Sequence, residues 1–442
     1  MREDVHGFYA SINAQLVRGG KLHFRDAGSG RSELSENGVG GRLLRYPKIG
    51  IYAGAGTSHS WLWFVEAFDL MGFHDLDFLD EARLRSGGLK DLDVLAVSGG
   101  DTFAVAEALG EEGARRIEAF VRRGGLYIGS CAGAYLPLRS SKTPLNLFNY
   151  VNVKIANLAK TLPEPTRMAY KFCTAYGCDF VFHPVREEVI LRVNGVSQFR
   201  GPHRIAAPMY GGPSMTATQE VEVLAYYEDF SDKTLFLVDE TVARDTLIDR
   251  AAVVRSRMGE GAFVLFGPHF EHPHYPEANG RLADIIFRDM RKAPVNTAEP
   301  TEGRAFLGDR ERSALLKDLK RELSNSRIVS VGLEILPIRW RIGAKVYEPE
   351  KIRVFLESMW NRVRVLEKSR HMIGRAGEHE PLIRAAGRTT ELLRSMKRRI
   401  DLNEETTEHA EELFRLLHVY ATLFLELYFR SVSHDRGLPR RM

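Results

Sequence analysis

Three short apolar runs, each stopped by glycine or serine, constrain this chain more than anything else in it. They are "KIGIYA" (48–53), "LDVLAV" (92–97) closed by "SGGD", and "LYIGS" (126–130) closed by "CAG". Each is too short for a helix and nearly continuous in apolar character, as a strand buried on both faces must be. Between them lie "SHSWLWFVEAFDLMGF" (58–73) and "EEGARRIEAFVRRGG" (111–125), which carry apolar residues at helical spacing and end at glycine. Strands alternating with helices predict an α/β fold, a mostly parallel sheet with helices on both faces. In such sheets functional groups gather beyond the carboxyl ends of the strands, where both "SGGD" and "GSCAG" fall.

The remaining pattern sets the domains. The chain's 442 residues suggest two or three of them. Residues 1–45 form an N-terminal extension whose later part, "DAGSGRSELSENGVGGR", is rich in Gly and Ser and is expected to be loose. Strand-like runs at 187–193, 220–227, 251–257 and 261–267 extend the α/β domain, which is expected to span 46–290. A Pro/Thr-containing linker (291–303) follows. Residues 304–442 hold four long amphipathic, highly charged segments and are expected to form an all-α domain, a helical bundle.

Composition narrows the setting. Hydrophobic residues make up 44 % and charged residues 27 %, a globular mix able to bury a core. Three cysteines are no disulfide framework and point to a reducing compartment. The opening "MREDVHGFYASINAQL" lacks the apolar core of a secretory signal, and no window nears 18 uninterrupted apolar residues. The expected location is the cytoplasm, with no membrane contact. A net charge of +4 conceals an asymmetry: residues 303–442 carry 28 Lys/Arg against 20 Asp/Glu, or +8, and the rest 34 against 38, or −4. A basic helical part suits an acidic partner or nucleic acid, or is a solvated helical surface. The solvated surface is the expected reading, with a protein partner as the alternative ahead of nucleic acid. The sequence sets no oligomeric state, and no cofactor is expected.

The chemistry centres on Gly129-Ser130-Cys131-Ala132-Gly133, a G-x-C-x-G run after an apolar strand. This is the form of a nucleophile elbow with sulfur as the attacking atom. The sharp strand-to-helix turn requires small neighbours and projects the central side chain above the sheet. The Ala132 amide is placed to face a developing oxyanion. A nucleophile needs a base, and the base an orienting group. His269 and Glu271, in "GPHFEHPHYPE", stand just past the strand "GAFVLFG" and so at the same sheet edge. The alternatives for this segment are a zinc site built from His269, Glu271, His272 and His274, or a structural loop; no metal is expected. Ser58, His59 and Trp61 follow the first strand and either line the site or, for Ser58 and Trp61, cap the helix and fill the core. Asp101 either contacts substrate or caps the helix after it. Cys173 and Cys178 have no recognised ligand spacing and are expected to be buried structural residues.

These motifs carry a resemblance. From about Tyr46 to Phe287 the chain resembles the class I glutamine amidotransferase-like superfamily, and within it the domain named after the N-terminal part of biotin–protein ligases. "KIGIYAGAGTS", "LAVSGGDTF", "GGLYIGSCAGAYL", "YGGPSM" (210–215) and "GEGAFVLFGPHFE" resemble its motifs in order and spacing. The resemblance implies a flavodoxin-like fold, with Cys131 as nucleophile, His269 as base and Glu271 as its orienting acid. It implies an oxyanion and substrate surface from Gly99, Gly100, Asp101, Ala132, Tyr135, Gly211 and Gly212. In true glutamine amidotransferases the position of Tyr135 is glutamine, so free glutamine is not the expected substrate. The segment "SGGDTF" also resembles the peptidase E and cyanophycinase branch, which uses serine at the elbow. A ligase activity is not expected. The expected function is a cysteine-dependent C–N hydrolase or amidotransferase-like enzyme acting through a thioester on a small-molecule or peptide amide. The alternative is a non-catalytic ligand-binding or scaffold module whose basic helical domain docks a partner.

Overall fold

The computed structural model describes residues 4–26, 32–35, 42–175, 178–194, 202–290, 306–343, 345–369, 371–375 and 377–437. The linker expected at 291–303 and most of the Gly/Ser-rich stretch before residue 42 lie outside them. Contacts divide the chain into two compact units, one of Met1–Phe73 with Leu79–Val295, the other of His74–Phe78 with Asn296–Met442.

The first unit is built on a mixed sheet. Its strands include β1 (Ile49–Tyr52), β2 (Val94–Val97), β3 (Leu126–Ser130), β4 (Val185–Val193), β5 (Arg204–Met209), β6 (Glu222–Phe230), β7 (Ala251–Met258) and β8 (Gly261–Phe266). They lie in the order β5-β4-β6-β7-β8-β3-β2-β1. The run β8-β3-β2-β1 is parallel, and β5-β4-β6-β7-β8 is antiparallel. Every residue of β1, β2, β3 and β8 is buried, as strands covered on both faces require. The parallel part thus has the expected fold class, and an antiparallel wing continues from β8.

Helices α1 (Val5–Val17), α2 (Trp61–Leu70), α3 (Thr102–Arg122), α4 (Ala132–Tyr135) and α5 (Pro276–Asp289) belong to this unit. In α3 the buried stripe Val105, Leu109, Gly113, Ile117 and Phe120 follows helical spacing. Sequence spacing starts this helix at residue 111. The observed helix begins at Thr102 and runs through a break at Gly110, where φ is +58°. Helix α1, unforeseen in the N-terminal extension, packs on α5. Its Tyr9 is fully buried, stacks on Phe287 at 6.4 Å and donates to Asp284 at 2.6 Å.

Two buried carboxylates pin the unit together. Asp93 accepts both guanidinium nitrogens of Arg45 at 2.6 and 2.7 Å. Asp289, with no exposed surface, accepts from Arg255 at 2.9 Å and Arg257 at 3.1 Å. Removing one side of a buried pair strands the other charge. Asp289→Ala is therefore expected to destabilise the first unit by about 3–5 kcal/mol. Chemical denaturation checks this, and an unshifted midpoint would show that the arginines find other partners.

The second unit contains α6 (Asp309–Glu334), α7 (Pro349–Lys368), α8 (Glu380–Asp401) and α9 (Thr407–Asp435). Helix α6 packs on α7 and α8, and α9 packs on α7 and α8, closing a four-helix arrangement. It also holds a two-stranded hairpin, Trp340–Ile342 with Lys345–Tyr347, in the β-rich stretch "RWRIGAKVY". Much of its basic charge is paired within the unit, as in Arg327–Glu357, Arg388–Glu412 and Arg399–Glu404. Among the described residues no helix is long and apolar enough to cross a membrane.

Candidate active site

The elbow is drawn by steric contact. A Cβ on Gly129 would lie 2.2 Å from the Gly133 carbonyl oxygen, and one on Gly133 would lie 2.0 Å from that of Val97. Only glycine fits at either position, so the chain leaving β3 folds back against its own strand and against β2. Cys131, between them, is forced to φ +51° and ψ −107°, a region that costs a non-glycine residue free energy. Its amide donates to the Phe266 carbonyl of β8 at 3.0 Å. Helix α4, which follows, is a single turn, so its dipole adds little for a thiolate.

The adjacent strand leads to the candidate base. Phe266 pairs with Ser130 across the parallel rung of β8 and β3. Three residues past Phe266 stands His269, 2 % exposed, with Glu271 1 % exposed. The His269 ring is hydrogen-bonded to the Cys131 side chain. Its Nδ1 meets Glu271 Oε1 at 2.7 Å, which leaves Nε2 toward the sulfur. Burial opposes the charged imidazole. The Glu271 carboxylate, followed by the Cys131 hydrogen bond, outweighs it and raises the His269 pKa from 6.5 to about 10.

Sequence reasoning missed the shell around this pair. Glu271 Oε1 also accepts from Ser130 Oγ at 2.8 Å and Ser98 Oγ at 3.2 Å. Ser98 reaches Ser60 at 2.8 Å, and Ser60 reaches Ser58 at 2.9 Å. These buried hydroxyls fix the carboxylate at the end of β2, β3 and the loop before α2. Trp63, not Trp61, faces the site. Its ring stands 5.0 Å from His269 at 89°, 5.3 Å from His59 and 4.6 Å from His272. Trp61 is fully buried core. Two residues apart on a helix point different ways, which was the available signal. Burial, then the charges of His269 and His274, lowers the His272 pKa to about 3. Among the described residues no three His, Cys, Asp or Glu side chains converge as a metal site requires.

The other expected residues divide. A Cβ on Gly99 would fall 2.9 Å from His269 Cε1 and 3.6 Å from Cys131 Cβ, so this backbone lies against the pair. Gly100 is laced to the loop after β1, with Asp101 N–H on the Gly56 carbonyl at 2.7 Å and Ser58 N–H on the Gly99 carbonyl at 3.0 Å. Asp101 is a helix cap, accepting from Phe103 and Ala104 amides at 3.0 and 3.2 Å. The N-cap position of α2 is Ser60; Ser58 Oγ accepts from the Ser60 amide at 3.4 Å and donates to the Gly99 carbonyl at 3.2 Å. Ala132 opens α4, and a first-turn amide has no partner within its own helix. Tyr135 is half-buried, and its hydroxyl meets Asn157 Nδ2 at 3.4 Å. Asn157 is a hub: it also donates to the Phe182 carbonyl at 3.0 Å and accepts from Ser214 N–H at 3.1 Å. The loop of Gly211 and Gly212 is thereby tied to the elbow turn. It closes on Gly267, since a Cβ on Gly212 would sit 1.8 Å from the Gly267 oxygen. Cys173 is buried and bonds the Leu237 carbonyl at 3.6 Å. The side chain of Cys178 lies outside the described residues.

Comparison with known proteins agrees with the motif reading over part of the chain. Residues 49–143 match the family described as "Biotin-protein ligase, N terminal", a stretch that holds β1, the Gly99–Gly100 turn and the elbow but not His269. No curated protein matches. Among solved structures, a putative GMP synthase subunit from Thermoplasma acidophilum is similar at 14 % identity, covering 54 % of this chain and 92 % of its own, with a TM-score of 0.33. A glutamine amidotransferase from Thermotoga maritima shows 11 % identity, 73 % and 94 % coverage and a TM-score of 0.30. A β-galactosidase from Bacillus circulans sp. alkalophilus shows 14 % identity, 60 % and 34 % coverage and a TM-score of 0.31.

Proposed function

We propose that the chain is a cysteine-dependent amide hydrolase or amidotransferase-like enzyme. The observation that carries this reading is a cysteine held at φ +51° in a strand–helix elbow and hydrogen-bonded to a buried His269–Glu271 pair. Cys131, as thiolate beside the imidazolium, attacks an amide carbonyl. The C–S bond forms, and the oxyanion is met by the amides of Gly100 and Ala132. His269 then gives its proton to the leaving nitrogen, the C–N bond breaks, and a thioester remains. Water, losing a proton to His269, attacks the thioester and restores the thiolate–imidazolium pair. Glu271 holds the ring by Nδ1 through both steps, and Ser130 and Ser98 hold Glu271.

The nitrogen released is ammonia or an amine, and an acceptor on a partner takes the place of water in a transferase. The division near 291–303 into an amidase-like domain and a helical domain is part of this reading. Tyr135 stands where an amide side chain would recognise glutamine, and a site lacking that partner loses orders of magnitude in discrimination. Little or no ammonia is expected from free glutamine. Robust release that disappears in Cys131→Ala would overturn this and restore a glutaminase. The reading as a whole is tested by the labelling of three cysteines with iodoacetamide near neutral pH. Cys131 is expected to react well before Cys173 and Cys178. Equal, slow reaction at all three would favour a ligand-binding module instead.

A further inference from the structure

Glu187 has φ +72°, a left-handed conformation that a glutamate adopts at a cost. It pairs with Met209 where β4 meets β5, and so stands beside Tyr210. Its carboxylate lies under the Tyr210 hydroxyl, which donates to Glu187 Oε2 at 3.1 Å. Tyr210 keeps 38 % of its surface exposed. Its ring is 5.8 Å from that of His269 and 5.7 Å from that of Trp63, tilted 43° to the latter. The two rings meet at a tilt beside the candidate dyad, with a carboxylate at the Tyr210 end. The Glu187 carboxylate meets the corner at the Tyr210 hydroxyl, and Arg186 acts against it. Burial, then Glu187, pushes the Tyr210 pKa up against a weaker opposing effect of Arg186. On the proposed mechanism, thiolate, imidazolium and carboxylate at Cys131, His269 and Glu271 sum to one negative charge. An aromatic face in negative surroundings attracts a cation.

We infer that the amide turned over here carries a cationic group, an alkylammonium or a guanidinium, seated on the Trp63–Tyr210 corner and facing Glu187. The inference rests on the reading of Cys131 as nucleophile and goes beyond it by naming the charge of the substrate. Neither Trp63 nor Glu187 belongs to the reacting set, so the specificity of the site is separable from its chemistry.

Three methanethiosulfonates of similar size test it: trimethylammonioethyl, hydroxyethyl and sulfonatoethyl. In each the Cys131 thiolate attacks the sulfenyl sulfur, a mixed disulfide forms and methanesulfinate leaves. Rates at Cys131 in the full chain are read by peptide mass spectrometry, each divided by the same probe's rate with 2-mercaptoethanol. The cationic probe is expected to lead the anionic one by about tenfold after this correction. Glu187→Gln should lower the ratio about threefold, and Tyr210→Leu, checked for folding by circular dichroism, should lower it further. A wild-type ratio near one overturns the inference while leaving the nucleophile in place, as does a ratio unchanged by both substitutions. Reaction at Cys131 no faster than at Cys173 with all three probes overturns the nucleophile, and this inference with it.

Discussion

Replacing His269 with alanine is expected to slow iodoacetamide labelling of Cys131 about 30-fold at pH 7, because a free thiol of pKa near 8.5 is only a few per cent thiolate there. In the wild type the imidazolium persists to about pH 10; with Cys131 as the thiolate of the proposed mechanism, labelling should be flat from pH 6 to 9. In His269→Ala the rate should climb about tenfold per pH unit up to the thiol pKa. Glu271→Gln should fall between them, since the ring keeps a hydrogen-bond partner and loses the charge that raises its pKa. Stability follows the same sign. The folded pKa of His269 lies above the ordinary 6.5, so the pair's contribution is complete below pH 6.5 and is lost as pH rises through about 10. The wild type should lose stability over that window, and His269→Ala should not share this loss. Identical labelling profiles for the two proteins would remove the imidazole from the chemistry.

Gly133→Ala is expected to cost about 3 kcal/mol or more and to lower the melting temperature by about 6–12 °C. The added Cβ would lie 2.0 Å from the Val97 oxygen, an atom of a fully buried strand flanked on both sides by parallel neighbours. The contact is with backbone, so no rotamer change relieves it. The Gly133 amide is also engaged, donating to the Ser98 carbonyl at 3.1 Å. Relief must come from moving the elbow, and with it Cys131. Slower labelling of Cys131 should therefore accompany the lost stability. An unchanged melting temperature would mean that the turn has slack that its glycines do not suggest.

The parallel core and the four helices of the second unit were legible because each reduces to a periodic pattern. "KIGIYA", "LDVLAV" and "LYIGS" are buried on both faces, and the charged amphipathic segments are helices. The elbow was legible because its sterics leave no residue but glycine on either side of Cys131. Less local features were not. Strand β5 carries Pro208, which argues against a strand by itself, although all but its first residue are buried or half-buried. Helix α1 has almost no amphipathic signal, since its buried residues Val5, Tyr9, Ile12 and Asn13 mix apolar and polar types. At the site, Ser130 and Ser98 read as small turn residues, and only tertiary structure gives them Glu271 as partner. Asp101 allowed two readings, and the geometry assigns it to capping.

The rung between Ser130 and Phe266 reaches beyond chemistry. Cys131 and His269 are separated by more than a hundred positions in the chain, yet their spacing depends on two adjacent strands and a few residues after each. The outer part of the antiparallel wing between them is free to vary as long as that rung keeps its register and the Gly211–Gly212 loop keeps its seat on Gly267. Such a layout uncouples inheritance of the reaction from inheritance of the substrate. On the proposed function, chains sharing this elbow are free to differ in substrate, and the wing is where such differences should concentrate.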